Sequence, residues 1–152
     1  MVDLLPNALS FRVITTIEVE SELEIPDRFS GRVRLRMDGV LVYVAWYTEG
    51  LLDNPSRRMP AYVRYRPNGR VKYEMHYRLG LLHDPDAGHP AVRGYFANGR
   101  LHYEERFRDG KRHDGRGGIA AIRKWRPDGT LRRELHSYYG KAVQPPPAKQ
   151  LG

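Results

Sequence analysis

Histidine has the widest chemistry of the residue types in this chain, because it can bind a metal or move a proton near neutral pH. His83-Asp84 and His113-Asp114 recur 30 residues apart in equivalent segments. One interpretation is a metal-ligand set repeated once per segment, since a metal site needs several ligands in a defined geometry. We favour the other interpretation, in which these side chains cap the local chain. His76 and His136 share a second column with Arg106, and we expect this column on a polar sheet face.

Catalysis by a nucleophile or an acid–base pair finds little support in the residues. The chain has no cysteine, which excludes a thiolate nucleophile and a cysteine zinc site. No serine lies in a Gly-x-Ser-x-Gly motif. Glu104 and Glu105 are neighbours in a predicted strand, so their carboxylates point to opposite faces. We therefore expect no enzyme activity, no cofactor and no metal, and keep a site in the segments around His83 and His113 as an alternative.

An internal repeat of 30 residues organises most of the chain. A turn pair recurs as Asp38-Gly39, Asn68-Gly69, Asn98-Gly99 and Asp128-Gly129, and a second glycine recurs as Gly50, Gly80, Gly110 and Gly140. Alternating apolar and polar residues on both sides of each turn pair indicate β-strands. The sequence therefore predicts an all-β fold, a single-layer antiparallel meander of about four 30-residue hairpin units over residues 31–142.

The turn at Pro67-Asn68-Gly69 allows two strand registers. One has a two-residue type I′ turn at Asn68-Gly69, and the other has a type I turn with Gly69 in a left-handed bulge position. A slip of one residue exchanges the two sheet faces. The bulged register pairs Tyr65 with Val71 and Val63 with Tyr73. We choose it because it collects apolar side chains on one face.

The segments outside the hairpins differ in composition. Residues 1–30 alternate apolar and polar side chains and carry two arginines against six carboxylates, so we expect an acidic N-terminal strand cap of net charge −4. The total of +8 leaves +12 for the remaining residues. Residues 81–90, 51–60 and 111–120 are rich in turn formers and are predicted as loops, and 143–152 as a disordered proline-rich tail. The absence of a signal peptide, a transmembrane segment and cysteine favours a cytoplasmic protein.

The repeated units resemble MORN repeats, and more closely a bacterial variant of them. The residues that carry the resemblance are Tyr95-Phe96-Ala97-Asn98-Gly99-Arg100-Leu101, Phe107-Arg108-Asp109-Gly110-Lys111-Arg112-His113-Asp114-Gly115, Leu82-His83-Asp84 and His89-Pro90-Ala91-Val92. The resemblance implies a sheet that serves as a scaffold or as a surface for a protein partner. Some bacterial members are antitoxins or immunity proteins, which implies an acidic toxin domain as one candidate partner. The 30-residue period and the N-terminal segment depart from plain MORN units.

The chosen register predicts one apolar face and one basic face. The apolar face needs cover from sheet curling, the N-terminal strands or a second copy, so a homodimer is one hypothesis. The basic face has three interpretations: a solvated surface, a docking surface for an acidic protein, or a surface for the phosphates of nucleic acid or anionic lipid. The candidate binding residues are Arg34, Arg36, Arg64, Arg66, Lys72, Arg78, Phe96, Arg100, Arg106, Arg108, Lys124, Arg126 and Arg132.

Overall fold

A computed structural model describes residues 15–145 of the chain, and these residues form an all-β structure. The strands are β1 (Thr16–Val19), β2 (Gly31–Met37), β3 (Val40–Thr48), β4 (Leu51–Leu52), β5 (Tyr62–Tyr65), β6 (Val71–Met75), β7 (Tyr77–Arg78), β8 (Leu81–Leu82), β9 (Val92–Tyr95), β10 (Leu101–Glu105), β11 (Phe107–Arg108), β12 (Lys111–Arg112), β13 (Ile122–Trp125), β14 (Leu131–Tyr138) and β15 (Lys141–Val143). A short 3-10 helix, Glu22–Glu24, follows β1.

One large sheet contains most of these strands in the order β1-β2-β3-β5-β6-β9-β10-β13-β14-β15. The hairpins β2–β3, β5–β6, β9–β10 and β13–β14 are antiparallel and follow one another across the sheet. Only β1 joins in parallel, beside β2, among the strands of this sheet in residues 15–145. The predicted all-β, mostly antiparallel meander is therefore confirmed.

The turn of hairpin β5–β6 is the three-residue turn that the chosen register requires. Gly69 has a φ of +84° and donates its backbone N–H to the carbonyl of Arg66 over 2.8 Å. Arg66 in turn donates its N–H to the carbonyl of Arg70 over 2.7 Å. Glycine adopts this left-handed conformation without the steric cost that a Cβ brings. The first hairpin differs, since both Asp38 and Gly39 have positive φ, at 51° and 78°.

A second irregularity changes the register beyond the turn. Tyr65 lies opposite Val71 as predicted, but Arg64 lies opposite Tyr73 and Val63 opposite Glu74. The predicted pairing of Val63 with Tyr73 is therefore wrong. Lys72 is the extra residue of a β-bulge, which sets two residues of one strand against one of its partner. The same shift occurs around His102 in β9–β10 and around Arg132 in β13–β14.

The bulges divide the predicted apolar face between the two sides of the sheet. We call one side the tyrosine face; its central row is Leu35, Tyr43, Arg64, Tyr73, Gly94, Tyr103, Lys124 and Arg133. We call the other side the ladder face; its central row is Glu18, Arg34, Val44, Val63, Glu74, Arg93, Glu104, Arg123 and Glu134. Ion pairs of 3.2 Å and 3.3 Å join Arg93 to Glu104 and Arg123 to Glu134. Charges of opposite sign thus alternate along this row.

The N-terminal segment both extends the sheet and covers part of it. Strand β1 adds to the edge, and the chain then folds over the tyrosine face, where Ile25 and Phe29 pack on a buried cluster. This cluster consists of Val19, Val33, Leu35, Tyr43 and Ala45. The described part of the predicted strand cap is interrupted after β1, because Ser21 and Glu24 form a capping box that starts the 3-10 turn. Residues 1–14 of the predicted cap lie outside the described part.

The predicted loops begin with short strands. Tyr77–Arg78 and Leu81–Leu82 form a small hairpin around Leu79-Gly80, and Phe107–Arg108 pairs with Lys111–Arg112 in the same way. Strand β15 likewise reaches Val143, one residue into the predicted disordered tail, and residues 146–152 of that tail lie outside the described part. The alternation pattern does not reveal these hairpins, because their short strands span only two or three residues.

We call the segments 51–60, 81–90 and 111–120 linkers. One polar side chain in each linker binds two backbone amides outside it. Asp84 Oδ1 accepts hydrogen bonds from the backbone N–H groups of Ala91, over 2.8 Å, and Phe107, over 2.9 Å. Asn54 and Asp114 make the equivalent pairs of contacts in their own linkers. The predicted capping role of Asp84 and Asp114 is confirmed. Each of these side chains connects its linker to the hairpin strand that follows it.

The remaining polar atom of each linker side chain faces the column of His76, Arg106 and His136. Asn54 Nδ2 lies 2.9 Å from His76 Nδ1, Asp84 Oδ2 lies 3.5 Å from an Arg106 nitrogen, and Asp114 Oδ2 lies 2.6 Å from His136 Nδ1. His76 is 7% exposed and Arg106 is 4% exposed. The predicted placement on an open polar face is wrong, because the linkers fold over this column.

The Asp84–Arg106 pair gives a first prediction. Asp84→Asn keeps the oxygen that accepts two amides but leaves the buried guanidinium without a carboxylate, so we expect a loss of about 3 kcal/mol in the free energy of unfolding. Arg106→His reproduces the Asp114–His136 arrangement and should cost clearly less. Urea unfolding followed by tryptophan fluorescence measures both. Equal losses would contradict a role for the ion pair.

The Asn54–His76 pair gives a second prediction, on pH. Asn54 Oδ1 already accepts two amides, so its NH₂ group faces His76 and the neutral Nδ1 must accept. Burial, followed by the nearby charges of His89 and Arg93, lowers the pKa of His76 to about 4. The unfolded chain binds this proton more readily, so the folded state loses stability as the pH falls from about 6.5 towards 4.

The variant Asn54→Asp tests the sign of this effect. A carboxylate beside His76 favours the imidazolium, so the variant should retain about 2 kcal/mol more stability than the parent between pH 7 and pH 4. Thermal and urea unfolding across this pH range provide the comparison. Parallel pH profiles for the parent and the variant would refute the assignment to His76.

Candidate partner-binding surface

Cations and aromatic rings gather at the turn end of the tyrosine face. We call this surface the cationic patch; it comprises Arg64, Arg66, Lys72, Lys124 and Arg132 with Tyr73, Phe96, His102 and Tyr103. The rings of Phe96 and His102 stack with centroids 4.0 Å apart, and Tyr103 meets His102 edge to face at 5.4 Å. The pKa of His102 is lowered by burial and then by three neighbouring cations, Lys124, Arg132 and Arg66. The chain thus concentrates positive charge around a neutral aromatic pair.

The bulges place these side chains on one surface. Lys72, His102 and Arg132 are the extra residues of their strands, and Arg66 and Phe96 begin the turns beside them. Arg64 lies in the row between Tyr43 and Tyr73, and its guanidinium donates to the hydroxyl of Tyr62 over 3.4 Å. None of the five cations forms an ion pair within residues 15–145. Arg66 also donates to the backbone carbonyl of Tyr95 over 3.0 Å, and no described carboxylate neutralises any of the five.

Gly94 completes the row because it has no side chain. Its neighbours in the row are Tyr73 and Tyr103, and the Tyr103 ring lies directly over it. A Cβ at this position would overlap the ring of Tyr103. The equivalent residues in the neighbouring hairpins are Arg64 and Lys124. Glycine at this position leaves room for the Tyr103 ring where those hairpins carry a cation.

The other predicted binding residues do not share this surface, so the single basic face is a wrong prediction. Arg34 and Arg36 lie 3.7 Å and 3.6 Å from Glu18. Arg78 pairs with Asp109 at 3.0 Å.

Four more candidates are engaged elsewhere. Arg106 is buried beneath its linker, and Arg108 lies 6.0 Å from the centre of the Tyr139 ring. Arg100 donates to the carbonyl of Pro127, and Arg126 donates to that of Leu131. The Arg100 contact joins two neighbouring turns and the Arg126 contact lies within one turn, so most of the predicted arginines have a structural partner.

Three patch residues were missed at the sequence level, namely Tyr73, His102 and Tyr103. Tyr73 and Tyr103 were assigned to a face opposite the cations, and His102 belonged to no motif. The bulge decides on which face these side chains lie, and no glycine or proline in the sequence marks its position. A prediction from strict alternation therefore assigns Tyr73 and Tyr103 to the wrong face.

A cleft of about 690 Å³ lies between two linkers, with His83, Asp84, Arg108, His113, Asp114 and Arg116 among its lining residues. His83 Nδ1 accepts the backbone N–H of Asp109 over 3.1 Å, and the His113 ring stacks on Tyr139 at 4.4 Å. Burial lowers the pKa of both histidines. Asp84 and Asp114 already accept backbone amides, and residues 15–145 contain no group of three or more side chains suited to a metal. The polar atoms of this cleft mainly hold the linkers in place.

Comparisons with known proteins identify no relative of this chain. Neither a protein-family model, nor a curated protein, nor a solved structure matches the chain. The MORN resemblance therefore stays a prediction from the residue pattern. No helix in residues 15–145 is long and apolar enough to cross a membrane.

The fit of Tyr103 over Gly94 gives a third prediction. Gly94→Ala forces the ring aside, and we expect a loss of about 1–3 kcal/mol in the free energy of unfolding, typical of overpacking. The loss should shrink when Tyr103→Ala is present, because the obstructing ring is then absent. A double-mutant cycle by urea unfolding measures the coupling. Additive losses would show that the ring does not occupy this position.

Proposed function

We propose that this chain is a non-catalytic β-repeat protein that docks another protein through the cationic patch. The observation that carries the proposal is the set of five cations around stacked aromatic rings, none of them neutralised within residues 15–145. Arginine and aromatic side chains are enriched at the energetic centres of protein interfaces. The ladder face offers a contrast, since its arginines and glutamates largely neutralise one another.

A partner with an acidic surface fits this patch best. Opposite charges steer the encounter and fix the relative orientation of the two proteins. The MORN-like pattern favours a toxin neutralised by occlusion as the partner, which would make the chain an antitoxin or immunity protein of the cytoplasm. A homodimer through the tyrosine face is disfavoured, because it would bring the two cationic patches together.

Charge reversal tests the proposal. Lys72→Glu, Lys124→Glu and Arg132→Glu change three exposed cations without touching a described ion pair. Immobilised parent protein should capture a partner from nuclease-treated lysate of its source cell, and the triple variant should lose at least tenfold in affinity. The matched control reverses Arg57, Lys111 and Lys141, which are exposed outside the patch. Equal capture by all three proteins would exclude the patch as the docking surface.

Single-stranded nucleic acid is a second candidate, because the cations and the rings share one surface. Bases stack on aromatic side chains while cations bind the phosphates, and such affinity falls steeply with salt. Fluorescence anisotropy with an oligothymidine of 20 nucleotides, at low and high salt, distinguishes the two candidates. Tight, salt-sensitive binding that the triple variant loses would replace the protein partner by nucleic acid.

A further inference from the structure

The outer edge of β14 carries backbone groups that no other described strand pairs. Its inner edge pairs with β13, and His136, Ser137 and Tyr138 pair with β15 on the outer edge. No strand among residues 15–145 pairs the outer side of residues 131–135, where Arg126 donates to the carbonyl of Leu131, and Leu131 and Leu135 are 43% and 38% exposed. In the preceding hairpin the same edge of β10 is filled by β13. An unpaired edge of this kind is a template for one more strand.

Pairing of this edge with a copy of itself places like charges opposite each other at the centre of each symmetric register. An antiparallel twofold pairing centred on residue 132, 133 or 134 sets Arg132, Arg133 or Glu134 against the same residue of the copy. Like charges directly opposite each other destabilise a strand pair. Registers centred on residue 132 or 134 are therefore disfavoured, whereas the register centred on 133 also places Arg132 opposite Glu134 and leaves self-pairing as an outcome for the test.

Head-to-tail addition of copies meets the same obstacle. Strand β1 forms the opposite edge of the sheet, and its direction would suit an antiparallel place beside β14. The central row of the ladder face begins with Glu18 and ends with Glu134, so this contact sets one glutamate against another. Both ends of the row thus repel further copies of the chain.

We propose that the outer edge of β14 accepts an extended segment of a partner protein with an arginine or lysine opposite Glu134. The row Glu74, Arg93, Glu104, Arg123, Glu134 alternates in sign, and a cation is the residue that continues it. Leu135 has Ile122 opposite it on the inner side, so an apolar residue continues that row. Arg133 lies beside Lys124, so a carboxylate opposite Arg133 separates and neutralises two cations.

From its N-terminus to its C-terminus, the partner segment therefore carries an apolar residue opposite Leu135, a cation opposite Glu134 and a carboxylate opposite Arg133. Main-chain hydrogen bonds supply the affinity in such strand addition, and alternate side chains supply the selectivity. The site adjoins the cationic patch, with which it shares Arg132, but strand addition at Glu134 does not depend on the patch having a partner. The single variant Lys72→Glu serves as a control that alters the patch and leaves the edge unchanged.

The test uses two peptides and NMR titration of the whole chain labelled with ¹⁵N. The first peptide copies residues 119–126 with Lys124→Glu, which aligns its apolar, cationic and acidic residues with Leu135, Glu134 and Arg133. The second carries Arg123→Glu in addition. We expect the first to bind roughly fivefold more tightly, as one cross-strand charge pair reverses. Shifts and slowed amide exchange should be confined to residues 131–136.

Protein variants make the test reciprocal. Glu134→Lys should invert the preference between the two peptides, whereas Glu134→Gln should abolish it and leave backbone binding in place. Thermal unfolding of each variant checks that the sheet is intact, and Lys72→Glu should keep the parent's preference. Equal affinity of both peptides for the parent would overturn the proposal. So would slow exchange, without peptide, of those amides of residues 131–135 that point away from β13, since the edge would then be occupied by the chain itself.

Discussion

One extra residue in the second strand of each hairpin determines which side chains share a surface. At Lys72, His102 and Arg132 the bulge shifts the register by one residue between the turn and the centre of the sheet. Because side chains alternate with a period of two, this shift moves whole rows to the other face. The patch, the charge row and the seat of Tyr103 over Gly94 all depend on it.

Hydrogen bonds from polar linker side chains hold together the hairpins that lie beyond the small apolar core. The buried hydrophobic cluster lies at the N-terminal end of the sheet, around Val33 and Tyr43. Further along, Asn54, Asp84 and Asp114 each hold two backbone amides and face one buried side chain. Buried polar groups of this kind are tolerated because every linker offers a partner. Neighbouring hairpins are thereby joined by directional bonds.

The two faces treat charge in opposite ways. On the ladder face Arg93 and Arg123 each pair with a glutamate, so its central row is nearly neutral along its length. On the tyrosine face Lys124 and Arg133 lie side by side without a carboxylate. Cations without a described carboxylate partner therefore lie beside aromatic rings on this face.

Local chemistry in the sequence was sufficient for the all-β class, the 30-residue period, the turn at Gly69 and the capping by Asp84 and Asp114. Each of these depends on residues close in sequence, such as a glycine with positive φ or an aspartate near the amides that it accepts. Tertiary structure alone decided the face of Tyr73, the burial of His76 and Arg106, and the grouping of Arg66, His102 and Lys124. These depend on a bulge without a sequence signature and on linkers that fold over distant strands, so pairing across strands determined them.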